Sequence, residues 1–472
     1  MRYIVKYIVV MIAVASLVAC SSESYPGIEY DPHMSEDLVN DESSMNANGK
    51  VPVNVLIGAN SFSISQATRG TGPFTVPDGT DDYATKHYNQ AIFHIFAFRD
   101  HRDEIGKDAV TPDFTKRSGD ESDSHGDCLV DGVTPLVGMV AKLDPDGDIK
   151  LHMKRISQRA DSTLYYYSRH ADKGYNFFVY HIDDFVPTAE NTHRETDKVS
   201  YNVEIDGARD FMVGSSPRLT PQVLNEYYPD AVAKLSADER NYILNIGNYS
   251  RYAADHGIDP IVTIKHLLPR IRFVCYPADA SANKVQIERI TLSSRHAGNL
   301  VVASADPKNI GFSSFDDDRI DIALGERNPD GDPTSPYVPL TPKNNIVNWE
   351  PGMDSQNWME NGGTVIGDDL LLAPDTEYKL HIVYTQELSG INPVTGERNS
   401  NEISAIYTIT APKLEESMNP QTGEYQFMGG LIYNINIGVY GLRPLEMNVG
   451  LEGWEEGGNI DVQGDPLEDG SD

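Results

Sequence analysis

Three scarcities bound what this 472-residue chain can be. It has only three cysteines, Cys20, Cys128 and Cys275. Cys128 and Cys275 can make one bridge at most, so this is no disulfide-built scaffold, and no structural role is expected of that pair. Basic residues are also scarce, with 38 Lys+Arg against 71 Asp+Glu and a formal charge of −33. A chain so acidic is repelled by nucleic acid and by anionic lipid, so nucleic-acid binding is excluded. Tryptophan is down to 3 residues, while Tyr stands at 25, Gly at 38 and Pro at 28, a mixture suited to a strand- and loop-rich exported protein. Catalytic constellations are missing too. The chain has no nucleophile elbow, no H-E-x-x-H, no phosphate loop and no paired CxxC, and its 13 His are scattered. An enzyme is not expected.

Metal-loop look-alikes read as turns. Asp144-Pro145-Asp146-Gly147-Asp148 and Asn328-Pro329-Asp330-Gly331-Asp332 begin like an oxygen-rich calcium loop, yet Arg155 stands where the first would need a bidentate Glu. Pro-Asp-Gly is also what a tight turn requires. Asp316-Asp317-Asp318 reads as a solvated loop. No metal and no cofactor is expected.

The N-terminus carries the address. Arg2 and Lys6 supply a basic start, and Tyr7 to Val18 an apolar run too short for a stable membrane span. It ends in Leu17-Val18-Ala19-Cys20, which looks like a bacterial lipobox, with the Cys20 thiol diacylated after removal of residues 1–19. Acyl chains would anchor the body to a membrane, each buried CH₂ contributing about 0.8 kcal/mol. Residues 20–50 are polar, acidic and aperiodic, as a tether would be.

Strand signals then dominate. Val51, Val53, Val55 and Ile57 lie on one face with Pro52 and Asn54 on the other, giving a first half-buried strand, with the phase flipping near Gly58 so that Phe62 and Ile64 carry the apolar face. Thr68-Arg69-Gly70-Thr71-Gly72-Pro73 follows as an exposed Gly-rich segment open to proteolytic nicking. Further strands are expected at Ala91–Phe98, Thr134–Leu143, Ile149–Ile156, Tyr175–Ile182 and Val199–Val203, completing an N-terminal β-sandwich over 51–215. Residues 216–260 read as a helical insertion, with Ser236 as N-cap and Glu239 at capping-box spacing. A C-terminal β-sandwich is expected over 261–463, opening on Val262–His266 and Arg270–Val274 and continuing through Gln286–Leu292, Tyr378–Tyr384 and Ala405–Ile409. The clearest alternation comes last. Tyr433, Ile435, Ile437 and Val439, then Leu445, Met447, Val449 and Leu451, form a hairpin with one apolar face. An acidic tail, 464–472, ends the chain. Between 307 and 375 lies a loop-rich stretch with Trp349 and Trp358, which read as packing residues or as stacking platforms for sugars.

Four stretches together resemble the fimbrillin family, the type V pilus subunits of Bacteroidetes. They are the lipobox at Cys20; Ala67-Thr68-Arg69-Gly70; Lys265-His266-Leu267-Leu268-Pro269-Arg270-Ile271-Arg272-Phe273; and the closing hairpin with Gly453-Trp454-Glu455-Glu456-Gly457-Gly458-Asn459-Ile460-Asp461-Val462. The resemblance implies a mostly β chain of two tandem transthyretin-like antiparallel β-sandwiches with a short helical insertion, exported as a surface-exposed outer-membrane lipoprotein. It also implies cleavage between Arg69 and Gly70, loss of the first strand, and filling of the groove by a C-terminal strand of another subunit. Expected partners are other fimbrial subunits, the outer membrane through the lipid, and a host or bacterial surface ligand. The helical insertion and the 307–375 region exceed what a plain stalk subunit needs, which leaves tip, accessory and anchor roles open. The acidic tail is a poor donor, so the donor must come from the Tyr433–Leu451 hairpin. A lipid-anchored glycan-binding protein of a polysaccharide-uptake system is the competing expectation. Asp161-Ser162-Thr163 also resembles the family phylum's O-glycosylation acceptor.

Overall fold

A computed structural model describes residues 51, 53–58, 92–100, 112–118, 126–131, 136–144, 150–155, 167, 173–183, 185–327, 337–391, 398–441 and 445–453. The first half holds β1 (Leu56–Gly58), β2 (Phe93–Arg99), β3 (Cys128–Val130), β4 (Met139–Asp144), β5 (Lys150–Arg155), β6 (Tyr175–Ile182), β7 (Thr192–Arg194), β8 (Lys198–Glu204) and β9 (Phe211–Ser215). Helices α1 (Pro221–Tyr227), α2 (Pro229–Val232), α3 (Ala237–Ile246) and α4 (Arg251–Asp255) follow. The chain resumes with β10 (Ile261–His266), β11 (Arg270–Pro277), β12 (Val285–Arg295), β13 (Ala297–Ser304), β14 (Gly311–Phe315) and β15 (Arg319–Ala323). Short strands β16 (Gly325–Arg327), β17 (Tyr337–Pro339), β18 (Ile346–Val347), β19 (Thr364–Val365) and β20 (Leu370–Leu371) occupy the stretch expected to be loop. Four long strands close the fold: β21 (Glu377–Ile391), β22 (Arg398–Thr410), β23 (Leu431–Val439) and β24 (Glu446–Gly453).

Pairing is mostly antiparallel. Eight strands form one sheet in the order β3-β2-β4-β5-β1-β10-β9-β6, and a further β2–β6 pairing ties its ends together. One face meets the four-stranded sheet β14-β13-β8-β7. Phe96, Phe98, Phe178, Tyr180 and Val213 pack there against Val199, Tyr201, Val203, Leu300 and Val302. The other face is covered by the helices, through Leu224, Ile243, Tyr249 and Ala253. A second sheet pair places β19-β11-β23-β24 over β15-β12-β21-β22. Its core interleaves Ile271, Phe273, Cys275, Ile435, Ile437 and Val449 with Ile287, Ile290, Leu292, Leu380 and Ile382. Alternation of large apolar residues with polar ones is what lets each strand serve one buried face.

Several expectations change in place rather than in kind. The helices form where expected, and Ser236 makes the full capping box with Glu239. They are bracketed by β9 and β10, two adjacent strands of one sheet, because a helical layer must lie over the sheet it covers. Ile261–His266, expected to open the C-terminal sandwich, therefore runs beside β1 and β9. Strands β9, β13 and β14 had not been anticipated, since Gly214, Gly298 and the serines of β14 dilute their β signal. Two parallel pairs, β1–β10 and β11–β23, appear in sheets expected to be antiparallel throughout. Both join segments remote in sequence, so no hairpin constrains their direction. Cys128 and Cys275 are both buried; Arg194 donates to the Cys128 sulfur at 3.7 Å, and burial pushes the Cys275 thiol up.

The sheets are stitched at their ends. The chain leaves β12 and enters β13 across the single residue His296, whose carbonyl accepts from the Ile205 amide. It also passes from β10 to β11 through Leu267–Pro269 alone. There the fully buried Arg270 guanidinium donates to Asp369, to which Arg272 adds bonds at 3.1 and 3.2 Å. Asp369 is itself 1% exposed, so this carboxylate is what makes a buried guanidinium tolerable. Asp369→Asn is expected to cost roughly 3–5 kcal/mol in urea unfolding, because it strands that cation. Arg270→Met, which removes the buried charge itself, is expected to cost less.

His94 offers a pH test. It is buried against Tyr180, with ring centroids 4.8 Å apart, and its Nδ1 meets no hydrogen-bond partner among the described residues. Burial, with help from the His181 charge, holds its pKa at about 3, against 6.5 ordinarily. The fold thus demands a neutral ring, whereas the unfolded chain takes up a proton below 6.5. That part of stability is complete above 6.5 and is lost as pH falls toward 3. His94→Phe is expected to reduce the drop in unfolding free energy between about pH 7 and pH 5, measured by denaturant titration at each pH.

Candidate functional site

The groove that holds the first strand is built by residues far apart in sequence. β1 lies inside the eight-stranded sheet, not at its edge. Leu56 and Ile57 pair antiparallel with His152 and Leu151 of β5, and parallel with Ile261 and Val262 of β10. The Leu56 amide donates to the Pro260 carbonyl at 2.8 Å, and the Tyr167 amide donates to the Val51 carbonyl at 3.1 Å. Following the pairings around, β2-β4-β5-β1-β10-β9-β6 returns to β2, and β1 is the link between β5 and β10.

Side chains anchor the segment more strongly than its three ladder residues do. Val51, Val53 and Val55 are 1, 0 and 3% exposed, and Leu56 is 7% exposed. They share a core with Phe93, Phe177, Tyr249 and Ile264. Asn54 between them is half-buried, as strand alternation requires. Burial of each Val or Leu contributes about 1.5–3 kcal/mol. Tyr228 and Tyr249 close the core under the helices; the Tyr228 hydroxyl donates to the Asp259 carbonyl and lies 3.3 Å from the Tyr249 hydroxyl. Burial pushes both phenols up, so they stay neutral donors. Among the described residues the side chains that line the groove are apolar or neutral phenols, a setting that can hold an alternating apolar strand.

The other sequence-picked residues lie elsewhere or outside the described residues. Cys20, Arg69 and Gly70 fall outside them, as do Phe62, Ile64 and Asp161–Thr163. The donor candidates sit in the second sheet pair, apart from the groove. Tyr433, Ile435, Ile437 and Val439 are all fully buried on β23, which pairs with β11 on one side and β24 on the other. Leu445, Val449 and Leu451 are 2, 8 and 5% exposed, and Met447 is partly buried. Met447, Val449 and Leu451 lie on β24, the last strand of its sheet, and Leu445 just precedes it. Release of β24 would spare the β11–β23 pairing; release of β23 would not. Sequence reading missed β5 and β10 as the groove's walls, since neither neighbours β1 in the chain.

Of the two tryptophans read as stacking platforms for sugars, Trp358 is already engaged. Trp358 lies 5.5 Å from the Tyr276 ring and packs over Gly438, where an added Cβ would come within 3.1 Å of the indole. Both tryptophans are half-buried. Among the described residues, no three His, Cys, Asp or Glu side chains are placed to hold a metal ion, and no helix is long and apolar enough to cross a membrane.

No protein-family model matches the chain, and no curated protein matches it. Solved structures do. A putative cell adhesion protein from Bacteroides uniformis is 9% identical, with 87% of this chain and 100% of that chain covered and a TM-score of 0.39. The fimbrial anchor protein Mfa2 from Porphyromonas gingivalis is 9% identical over 85% of this chain and 98% of its own, with a TM-score of 0.28. The C-terminally truncated tip fimbrial protein Mfa3 from the same organism is 7% identical over 84% and 98%, also at 0.28. At such identities and scores the likeness assigns no function.

The groove makes a direct energetic statement. Val53→Ala is expected to lower the stability of the intact chain by about 1.5–3 kcal/mol, read from the shift in urea midpoint. In a chain cleaved after Arg69 and stripped of its first strand, the same substitution can have no effect.

Proposed function

We propose that the chain is a structural or adhesive subunit of a type V fimbria, in a tip, accessory or stalk position. It is exported as an outer-membrane lipoprotein through Cys20 and assembled by loss of its first strand and exchange for a strand of another subunit. The observation that carries this reading is the setting of β1. A short N-terminal strand, joined to the next one through residues 59–92, fills an apolar groove between β5 and β10. Removing it would leave two strand edges unpaired and strip cover from the core shared with Phe177 and Tyr249. An incoming strand with apolar side chains at every second position would restore both the ladder and the burial. Leu445, Met447, Val449 and Leu451 supply that period on the strand most easily released. Cleavage is assigned to the Arg69–Gly70 bond. Fimbrial subunits are accordingly the partners, with a surface ligand for a tip role. The competing glycan-binding reading loses ground because Trp358 is packed on Tyr276.

Intact mass and N-terminal sequence, taken on protein from shed surface filaments and from outer membranes, test the reading. Filament protein is expected to start at Gly70, without lipid, in SDS-resistant ladders. A lipidated start at Cys20 in both fractions, with no ladder, would remove the polymerising role and leave an anchor or a glycan-binding lipoprotein.

A further inference from the structure

The far edge of β22 has the makings of an interface, separate from the first-strand groove. This 13-residue strand pairs with β21 on one side and, among the described residues, with no strand on the other. Edges of this length are normally blunted by charge, proline or a bulge. The opposite edge of the same sheet, β15, has five residues and exposes Arg319 and Asp321. From Ile403 to Ala411, β22 and its end carry nine residues with no charge, no proline and no glycine. Ile406 is 70% exposed, more than any other large hydrophobic side chain described. On the opposite face Ile403, Ala405 and Tyr407 pack on the core yet remain partly exposed. A chain with charge −33 has here a β-forming stretch with no charged residue of its own, its Thr408 and Ser404 hydroxyls held at 2.7 Å by Lys379 and His381 of β21.

We propose that this edge pairs with the same edge of a second copy, antiparallel and two-fold about Ile406. A two-fold axis perpendicular to the sheet returns each face to itself, so facing residues must share parity along the strand. Centring on Ile406 places the two exposed isoleucines against each other. Ser404 then faces Thr408 and Glu402 faces Thr410 on the outer face. Ile403 faces Ile409, and Ala405 faces Tyr407, on the core face. Apolar meets apolar, hydroxyl meets hydroxyl, and the one charged residue near the centre never opposes a like charge. The two four-stranded orders β15-β12-β21-β22 join into one continuous sheet. The chain's own 454–472 segment suits the edge less well, having seven carboxylates and no basic residue. Because the two bodies are both strongly acidic, pairing is expected to tighten as salt screens them.

Sedimentation velocity of the full chain over about two decades of concentration, at low and high salt, reads the equilibrium. A reversible dimer that strengthens with salt is expected. Ile406→Lys, at an exposed position, is expected to weaken it about tenfold or more while leaving the unfolding midpoint unchanged. Ile406→Cys is expected to be joined into dimers by a short thiol cross-linker under conditions that leave the parent chain and Glu402→Cys unjoined, since only residue 406 meets itself. Three results overturn the proposal: a monomer at every concentration, a dimer indifferent to Ile406→Lys, or a monomer whose β22 amides become exchangeable only when 454–472 is deleted.

Discussion

The insertion of β1 between β5 and β10 is the constraint on which the first half of the molecule depends. Only three residues make the ladder, so backbone pairing alone would hold it weakly. What holds it is the apolar comb of Val51, Val53 and Val55 running into a core that the sheet and the helices build together. The arrangement has an asymmetry with functional weight. In the same sheet β2 and β3, and β4 and β5, are chain neighbours that pair, and β9 and β10 flank the helical layer. β1 is tied to the body through remote partners and through the segment 59–92. A strand so placed is structurally essential and topologically separable.

The helices acquire a reason from the same core. Leu224, Ile243 and Ala253 cover the face against which the first strand packs, so the helical segment is a lid on the groove's interior and not a spacer. It also returns the chain to β10, which is the groove's second wall. The two sheet pairs are in turn coupled by very short passages, His296 on one side and Leu267–Pro269 on the other, with the Arg270–Asp369–Arg272 ion cluster beside the latter. A buried guanidinium is costly unless its carboxylate is held in place. That cluster therefore favours one arrangement of the β20 region, whose Leu371 amide reaches back to the Gly207 carbonyl.

Polar groups elsewhere in the cores follow the same rule of paired burial. For His181 desolvation of the buried ring pulls the pKa down, but the Asp183 carboxylate at 2.8 Å, the Ile92 carbonyl and Asp210 together raise it above its ordinary value. Its neighbour His94 has no such carboxylate and stays neutral. Two imidazoles on paired strands are thus shifted in opposite directions, and a carboxylate beside one of them is what separates them.

The strongest periodicities were legible directly. Tyr175–Ile182, the β23–β24 hairpin and the Ser236–Glu239 capping box appear where local pattern puts them, because a strand's alternation and a helix cap are decided within a few residues. The burial of Val51, Val53 and Val55 follows the alternation read from the sequence, but the paired strand is Leu56–Gly58, which that alternation does not mark out. What local pattern cannot contain is which remote strands lie on either side of β1, the parallel sense of β1–β10 and β11–β23, or the placement of Ile261–His266 in the first sheet. Those follow from closing loops of tens to hundreds of residues, where the choice is made by shared core volume and not by any short motif. By itself the sequence determined a β-rich, acidic chain with an apolar first strand. The tertiary structure alone decided that this strand is a wall of the core, with β5 and β10 as its edges, because only the packed sheet brings those three segments together.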